Sequence, residues 1–344
     1  EAFGEDPFLV AELVAEEIKG MQGDDPKYWS TATVMKHFLA NSNEDGRTRT
    51  SSDFDEALFR DYYSYGFWKG VVDGGSRSLM TAYNKYNGIP CSTNDFIHEI
   101  LIDEWGMDGQ ILNDGSALTL LVTDHKWAAD KKEAVKLTVE AGITRILDRF
   151  DEEMLAAVKE GLLSEEVVDR NTRFNLRTML RLGLMDNSDA NPYKDMGFTD
   201  VAPWETDDHK AKALLAAQKS VVLLKNEGSL LPLDSGEKIA LIGPFVSSSR
   251  SMLGSWTAFR DYDSTAVIKE GFDSRFPGRV TVAEGCAPFE DINGGIAQAV
   301  RAARNADVAV LTLGYPGELS GEATSMASVE LPECQKKLLA AVKA

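Results

Sequence analysis

Residues 109–118 read GQILNDGSAL, and this stretch decides the fold prediction. Ile111 and Leu112 are typical of a short buried strand, and Gly115 lets the chain turn directly after Asp114. Two interpretations fit an acid at this point. Asp114 is an ordinary turn residue, since Asp and Gly are common in turns, or it is a functional carboxylate at the carboxyl end of a parallel barrel strand. The segments on either side favour one of the two.

The first half of the chain alternates apolar runs with helical patterns. The apolar runs predict strands within 30–40, 78–88, 109–115 and 143–147, and polar loops follow them. The helical patterns cover 54–72, 95–106, 130–142, 151–163 and 164–184. Repeated strand–loop–helix units indicate a parallel sheet, and a (β/α) barrel accommodates them best because the polar loops follow the strands. We therefore predict a barrel portion over residues 1–184.

A second α/β unit follows. Residues 185–206 lack periodicity and carry Pro, Asn and Asp, which is typical of a linker. Beyond it, 207–344 predicts an incomplete α/β sandwich domain. Its predicted strands and helices are as follows: strands at 221–228, 238–244, 279–285 and 307–314, and helices at 207–220, 294–306 and 332–344.

Composition narrows the class of function. The net charge of −19 argues against a nucleic-acid or anionic-membrane partner, because phosphate binding needs clustered Lys and Arg. A neutral substrate is indifferent to that charge. The three cysteines are far apart and predict no disulfide framework, and the four histidines show no spacing of metal ligands. We expect no metal and no cofactor.

Polar side chains stand at the ends of three predicted strands. Lys36 and His37 end the first run, Tyr83 follows the second, and Asp114 follows the third. Each has a structural explanation: a solvated Lys beside a packed His, a core Tyr, and a turn Asp. The carboxyl ends of barrel strands face one active site, which favours function for all four.

These segments resemble glycoside hydrolase family three, the β-glucosidase and β-xylosidase family. The resemblance begins at EAFGEDPFLVAELVAEEIKGMQG and runs through KHFLANSNEDGR, MTAYNKYNGIPCSTN and EWGMDGQILND. It extends to VVLLKNEGSLLPL and IALIGP, so it covers nearly the whole chain. It implies a (β/α)₈-type barrel followed by an α/β sandwich, the same order as the pattern above. It also implies hydrolysis of terminal non-reducing β-D-glucosyl residues with retention, and a β-linked oligosaccharide or glycoside as substrate.

The resemblance implies roles for the candidate residues. Asp114 matches the nucleophile, Lys36 and His37 match a pair that binds sugar hydroxyls, and Tyr83 matches a Tyr near the nucleophile. A retaining glycosidase places two carboxyl groups about 5–5.5 Å apart, one nucleophile and one acid/base. The chemistry therefore requires a second carboxyl group.

The resemblance implies that the second carboxyl group lies in the loop YPGELSGEATSMASVELP of the sandwich domain. The family-like segment GEATSMAS favours Glu322 as acid/base, and Glu318 is the alternative. The segment MLGSWTAFR resembles one that supplies an aromatic residue to the substrate site, here Trp256, for which a partly buried interface role is an equal alternative. Gly115 stands where many members have a Trp.

The resemblance further implies that family barrels start well before Glu1, so we expect a longer protein, periplasmic or secreted. Two other functions stay open. One is β-xylosidase activity within the same family, and the other is a non-catalytic sugar-binding or scaffold role. A nucleotide site at KIALIGP is weak because no G-x-G-x-x-G follows.

Overall fold

The computed structural model describes residues 3–185, 189–196, 201–254, 257–319 and 321–344. The chain divides into two compact units, Glu1–Ala213 and Leu214–Ala344. Each unit is α/β. In the part of the chain that is described, no helix combines the length and the apolar character needed to cross a bilayer.

The elements are numbered in chain order. The strands are β1 Met35–Phe38, β2 Ser51–Ser52, β3 Leu79–Thr81, β4 Lys85–Tyr86, β5 Ile89–Pro90, β6 Ile111–Leu112, β7 Ile239–Ile242, β8 Val280–Ala283 and β9 Val308–Leu311. The α-helices are α1 Pro7–Gln22, α2 Glu56–Leu58, α3 Tyr65–Val72, α4 Ala117–Thr123, α5 Lys131–Glu140, α6 Asp151–Lys159, α7 Glu165–Arg181, α8 Asp207–Ser220, α9 Ile268–Arg275, α10 Gly295–Arg304 and α11 Glu333–Lys343. Two π-helical segments span Phe59–Tyr63 and Ile97–Glu104, and short 3₁₀ turns span Cys91–Thr93, Pro203–Glu205, Glu227–Ser229, Arg250–Met252 and Gly317–Leu319.

The first unit is organised by a parallel sheet in the order β1-β3-β6. Met35 pairs with Leu79, and Leu79 pairs with Ile111, so β3 lies between the two strands that carry candidate residues. Leu112 extends the sheet through a single parallel bridge to Arg145. In a barrel wall, parallel strands lie side by side in the order in which they occur along the chain, as these strands do. The α/β class is confirmed, and the barrel stays a prediction.

Phe38 is the centre of the first unit's core. Its side chain is fully buried, and four aromatic rings meet it edge-on with centroids 5.0–6.1 Å away. Those rings belong to Phe59, Phe67, Phe96 and Trp105. Edge-to-face pairs add to the free energy gained by burial alone, so this cluster fixes the end of β1.

The second unit has three layers. Its parallel sheet runs in the order β8-β7-β9. Successive side chains of a strand point to opposite faces, and β7 shows this directly. Ile239 and Leu241 pack on one face against Phe272 and Phe276 of the α9 region, while Ala240 and Ile242 join the cluster of α10 and α11 on the other. Helices therefore cover both faces.

Two predicted strands differ from the structure. The run at 221–228 forms no strand: Val221 to Leu224 are 64–91% exposed and have no strand partner among the described residues of the second unit. An apolar run becomes a strand only when a neighbour accepts its backbone hydrogen bonds, so this strand prediction is wrong for the structure. The run at 143–147 is reduced to the bridge at Arg145. The other predicted strands and helices lie within or over the observed elements.

We predict that Phe38→Ala lowers the free energy of unfolding of the first unit by about 3–5 kcal/mol, the usual cost of truncating a buried Phe. Chemical denaturation followed by tryptophan fluorescence measures the change. Trp127→Ala is the control, because that side chain is 41% exposed and leaves a smaller void. Equal losses for the two variants contradict the central role of Phe38.

Candidate active site

The first unit brings four of the sequence-predicted residues to one edge of its sheet. Lys36 and His37 lie in β1, Tyr83 follows β3, and Asp114 follows β6. Because the three strands are parallel and adjacent, their carboxyl ends share one edge. His37 Nε2 lies 3.2 Å from Asp114 Oδ2, although these residues are 77 positions apart in the chain. The tertiary structure therefore joins the first and third predicted segments.

The turn after β6 holds the Asp114 carboxylate in place. The backbone N–H of Gly115 donates to Asp114 Oδ1 at 2.7 Å. Ser116 has a positive φ of 69°, and the N–H of Ala117 donates to the carbonyl of Asp114 at 3.1 Å before α4 begins. A bound peptide N–H on one oxygen and an imidazole near the other leave the carboxylate little freedom to rotate.

Asp114 is held in its charged form. Burial alone raises the pKa of a carboxyl group, but the close His37 imidazole, the Gly115 N–H and the charges of His37 and Lys36 outweigh burial. The pKa of Asp114 is therefore lower than its ordinary value. The buried His37 Nε2 makes no well-aligned hydrogen bond among the described residues, so its 3.2 Å approach to Asp114 Oδ2 is a close polar contact.

Tyr83 contacts the same turn, but it binds the backbone of Gly115 rather than the carboxylate of Asp114. Its hydroxyl donates to the carbonyl of Gly115 at 2.7 Å. Behind it, His125 Nε2 donates to the carbonyl of Tyr83 at 2.9 Å. Burial lowers the pKa of His125, which keeps that imidazole neutral with its proton on Nε2.

A cavity of about 1130 Å³ opens beside β1 in the first unit. Lys36, His37, Asn41 and Glu44 contribute polar groups to its wall, and α1 contributes several apolar side chains, whereas Asp114 and Tyr83 are not among the residues that line it. A mostly apolar cavity with a few converging polar groups is the usual form of a small-molecule site.

Sequence reasoning missed several residues that shape this edge. Asp148 accepts hydrogen bonds from Asn113 Nδ2 at 3.4 Å and from the Leu118 N–H at 3.0 Å, so it supports the start of α4. The sequence did offer a signal for Asp148: it directly follows the predicted strand 143–147, just as Asp114 follows its own predicted strand. The ion pair of Glu44 and Arg47 also had a signal, because two opposite charges three residues apart follow shortly after Lys36 and His37.

Three predicted residues are not brought into this group. Glu322 lies in an exposed turn of the second unit, where its carbonyl accepts from the Thr324 hydroxyl at 3.3 Å. The side chain of Glu318 and the whole of Trp256 lie outside the described part of the structure. The roles predicted for all three stay predictions.

The described residues contain no cluster of three or more His, Cys, Asp or Glu side chains able to hold a metal ion. All three cysteines are free and buried. The side-chain groups that the described site offers are a carboxylate, an imidazole, an ammonium group and a phenol.

Comparison with known proteins identifies the family of the chain. The model of the glycosyl hydrolase family 3 N terminal domain matches residues 1–177, and that of the glycosyl hydrolase family 3 C-terminal domain matches residues 221–344. A periplasmic beta-glucosidase of Salmonella typhimurium is 29% identical over all of this chain and 48% of its own length. A beta-xylosidase of Formosa agariphila is 30% identical over 99% of this chain and 50% of its own.

A solved structure agrees as well. The beta-glucosidase of Listeria innocua, crystallised with isofagomine, superimposes with a TM-score of 0.88 at 30% identity, over 99% of this chain and 48% of that one. The chain belongs to glycosyl hydrolase family 3, as its resemblance predicted. It spans about half the length of the relatives that it matches.

Proposed function

We propose that this protein hydrolyses terminal non-reducing β-D-glucosyl residues by a retaining double displacement, with Asp114 as nucleophile. One observation carries the proposal: a half-buried carboxylate at a strand end has a lowered pKa and lies 3.2 Å from an imidazole. A glycosidase nucleophile must be ionised while its partner acid is protonated, and such an environment keeps Asp114 ionised. Family membership supports the reaction class.

In the first step, Asp114 attacks the anomeric carbon and forms a covalent glycosyl-enzyme ester. The bond from the anomeric carbon to the leaving oxygen breaks with its electron pair, and the acid delivers a proton to that oxygen. We propose Glu322 as this acid, on the strength of its family-like segment GEATSMAS.

In the second step, the same residue acts as a base. Glu322 takes a proton from water while the water oxygen attacks the anomeric carbon, and Asp114 leaves as a carboxylate. Two inversions give net retention of configuration. Splitting the displacement in two lowers each barrier, which is the benefit of a covalent nucleophile.

We propose that Lys36 and His37 bind hydroxyls of the reacting sugar. His37 Nε2 lies 3.2 Å from Asp114 Oδ2, and the charge of Lys36 helps to lower the pKa of Asp114, which supports a role for both beside the reacting carbon. Tyr83 is proposed to lie against the reacting sugar, and Trp256 to contribute an aromatic surface for the next sugar unit. A neutral sugar suits a chain with a net charge of −19, since its binding needs no complementary charge.

β-Xylosidase activity is the second candidate, because the Formosa relative at 30% identity bears that name. The ratio of kcat/KM for aryl β-glucosides and aryl β-xylosides distinguishes the two. A non-catalytic sugar-binding protein is the outcome if sugars bind and neither substrate turns over. We also propose a periplasmic or secreted location, as the name of the Salmonella relative suggests.

We predict that a 2-fluoro glycoside inactivator leaves its sugar on the peptide that contains Asp114 in the full-length protein. Asp114→Ala should reduce kcat/KM by about 10⁴-fold or more, the scale of loss when a covalent nucleophile is removed. Peptide mass spectrometry and steady-state kinetics measure both effects. Asp103→Ala, which removes an exposed carboxylate of the same unit, serves as control. An adduct on another carboxylate rejects Asp114 as nucleophile.

We predict that Glu322→Ala slows glycosides with poor leaving groups far more than activated aryl glycosides, because only the former need a proton on the leaving oxygen. Azide should restore turnover of activated substrates, since it attacks the glycosyl-enzyme without a base. Glu318→Ala is assayed in parallel. If that variant shows the azide rescue and Glu322→Ala does not, Glu318 takes the role.

We predict that His37→Gln moves the acid limb of the inactivation rate to higher pH. His37 helps to lower the pKa of Asp114, so its removal lets the carboxylate take up a proton at a higher pH. The normalised pH profile of reaction with the 2-fluoro inactivator measures this. His209→Gln, an exposed position in α8, should leave the profile in place. If the acid limb of both variants lies at the same pH as in the wild type, His37 does not lower the pKa of Asp114.

A further inference from the structure

We infer that Arg47 is a positioning residue for the nucleophile: it packs on the ring of Tyr83, and Tyr83 in turn holds the peptide beside Asp114. The inference rests on the proposed role of Asp114 and goes beyond it, because Arg47 acts at a distance through two other groups. Each link is a contact within the first unit.

The guanidinium of Arg47 is held firmly by its own loop. Its Nη1 donates to Glu44 Oε2 at 2.9 Å, and the two side chains are only 14% and 21% exposed. Asn41 Nδ2 lies 3.4 Å from the other oxygen of Glu44. The chain turns at Gly46, where φ is 68°. A largely buried ion pair of neighbouring residues orients the planar fork of Arg47.

That fork covers the ring of Tyr83. The Arg47 Cζ lies 5.0 Å from the ring centroid, within the range of a cation–π contact. Such a contact is stronger when water is excluded, as it is here by the low exposure of Arg47. A guanidinium stacks on an aromatic face over its whole plane, whereas a Lys ammonium makes a point contact.

Tyr83 passes this constraint to the nucleophile turn. Its carbonyl is held by His125 and its hydroxyl donates to the Gly115 carbonyl at 2.7 Å, so the backbone, ring and hydroxyl of Tyr83 each have a fixed partner. The Gly115 residue that receives this bond also donates its N–H to Asp114 Oδ1. Movement of the ring therefore moves the residue that orients the carboxylate.

Strand pairing brings the two loops together. The loop that carries Arg47 leads into β2, and β2 pairs in parallel with β4, two residues after Tyr83. The Lys85 N–H donates to the Thr50 carbonyl at 2.9 Å, directly between the two loops. The contact between Arg47 and Tyr83 is thus built into the fold.

The chemistry makes this useful. Attack on the anomeric carbon needs the carboxylate aligned with the breaking bond, and a misplacement of about 1 Å costs on the order of 10²-fold in rate. Because Arg47 acts through the Tyr83 hydroxyl on the turn at Gly115, its loss should slow formation of the glycosyl-enzyme far more than it weakens sugar binding.

The test uses Arg47→Met, Arg47→Lys, Tyr83→Phe and the double variant Arg47→Met/Tyr83→Phe in the full-length protein. We expect Arg47→Met to lower the rate of reaction with the 2-fluoro inactivator by about 10–100-fold, with the inactivator's binding constant within about threefold of wild type. Arg47→Lys should recover only part of the loss. The double variant should be no slower than the slower single variant, because both changes break one chain of contacts.

The control is Arg49→Met, the same substitution two residues further on. Arg49 is 74% exposed and pairs with Asp124, so its loss should leave the inactivation rate unchanged. The inference is overturned if Arg47→Met reacts at the wild-type rate, if the losses of the two single variants simply multiply, or if Arg47→Met weakens binding with no effect on the rate. The last result would make Arg47 a direct contact of the substrate.

A second measurement separates this inference from the proposed function. Melting temperatures of Arg47→Met, Tyr83→Leu and their combination report the coupling of the two side chains without any substrate. Non-additive losses support the link between Arg47 and Tyr83 even if the wild type labels a residue other than Asp114, which rejects only the proposed nucleophile. Additive losses reject the link even if Asp114 is labelled.

Discussion

The burial of the Phe38 ring is the constraint on which the first unit depends. Five aromatic rings meet at one point, and the strand that contributes the central ring also carries Lys36 and His37. Phe38 faces the core and is fully buried, while Lys36 is exposed at the sheet edge. The core thus fixes the position from which His37 approaches Asp114, so the packing of Phe38 also determines the geometry of the site.

The site shows how a carboxylate is kept charged away from bulk water. Burial opposes ionisation of Asp114, and three neighbours from different parts of the chain compensate for it: an imidazole, an ammonium group and a peptide N–H. The first two come from adjacent residues of β1, and the third comes from the turn itself. Polar neighbours that are already in place around a carboxylate stabilise its charge without further rearrangement, which is the physical content of preorganisation.

Sequence patterns predicted what depends on local spacing. Helices such as α5 and α7 lie where they were expected, and Asp114 was correctly placed just after a strand, whereas Lys36 and His37 lie within β1 rather than at its end. The run at 221–228 failed because an apolar segment needs a partner strand, and spacing carries no information about the partner. The contact between Arg47 and Tyr83 could not be predicted for a similar reason, since the two residues lie 36 positions apart.

By itself, the sequence determined the α/β class, the order of its two units and the family, because these follow from periodicities and from segments read in order along the chain. It also singled out Asp114, Lys36, His37 and Tyr83 as candidate site residues. Only the tertiary structure decided that His37 lies against Asp114 and that the hydroxyl of Tyr83 contacts the carbonyl of Gly115. Those contacts join separate strands, and the adjacency of parallel strands is set by how their shared core packs.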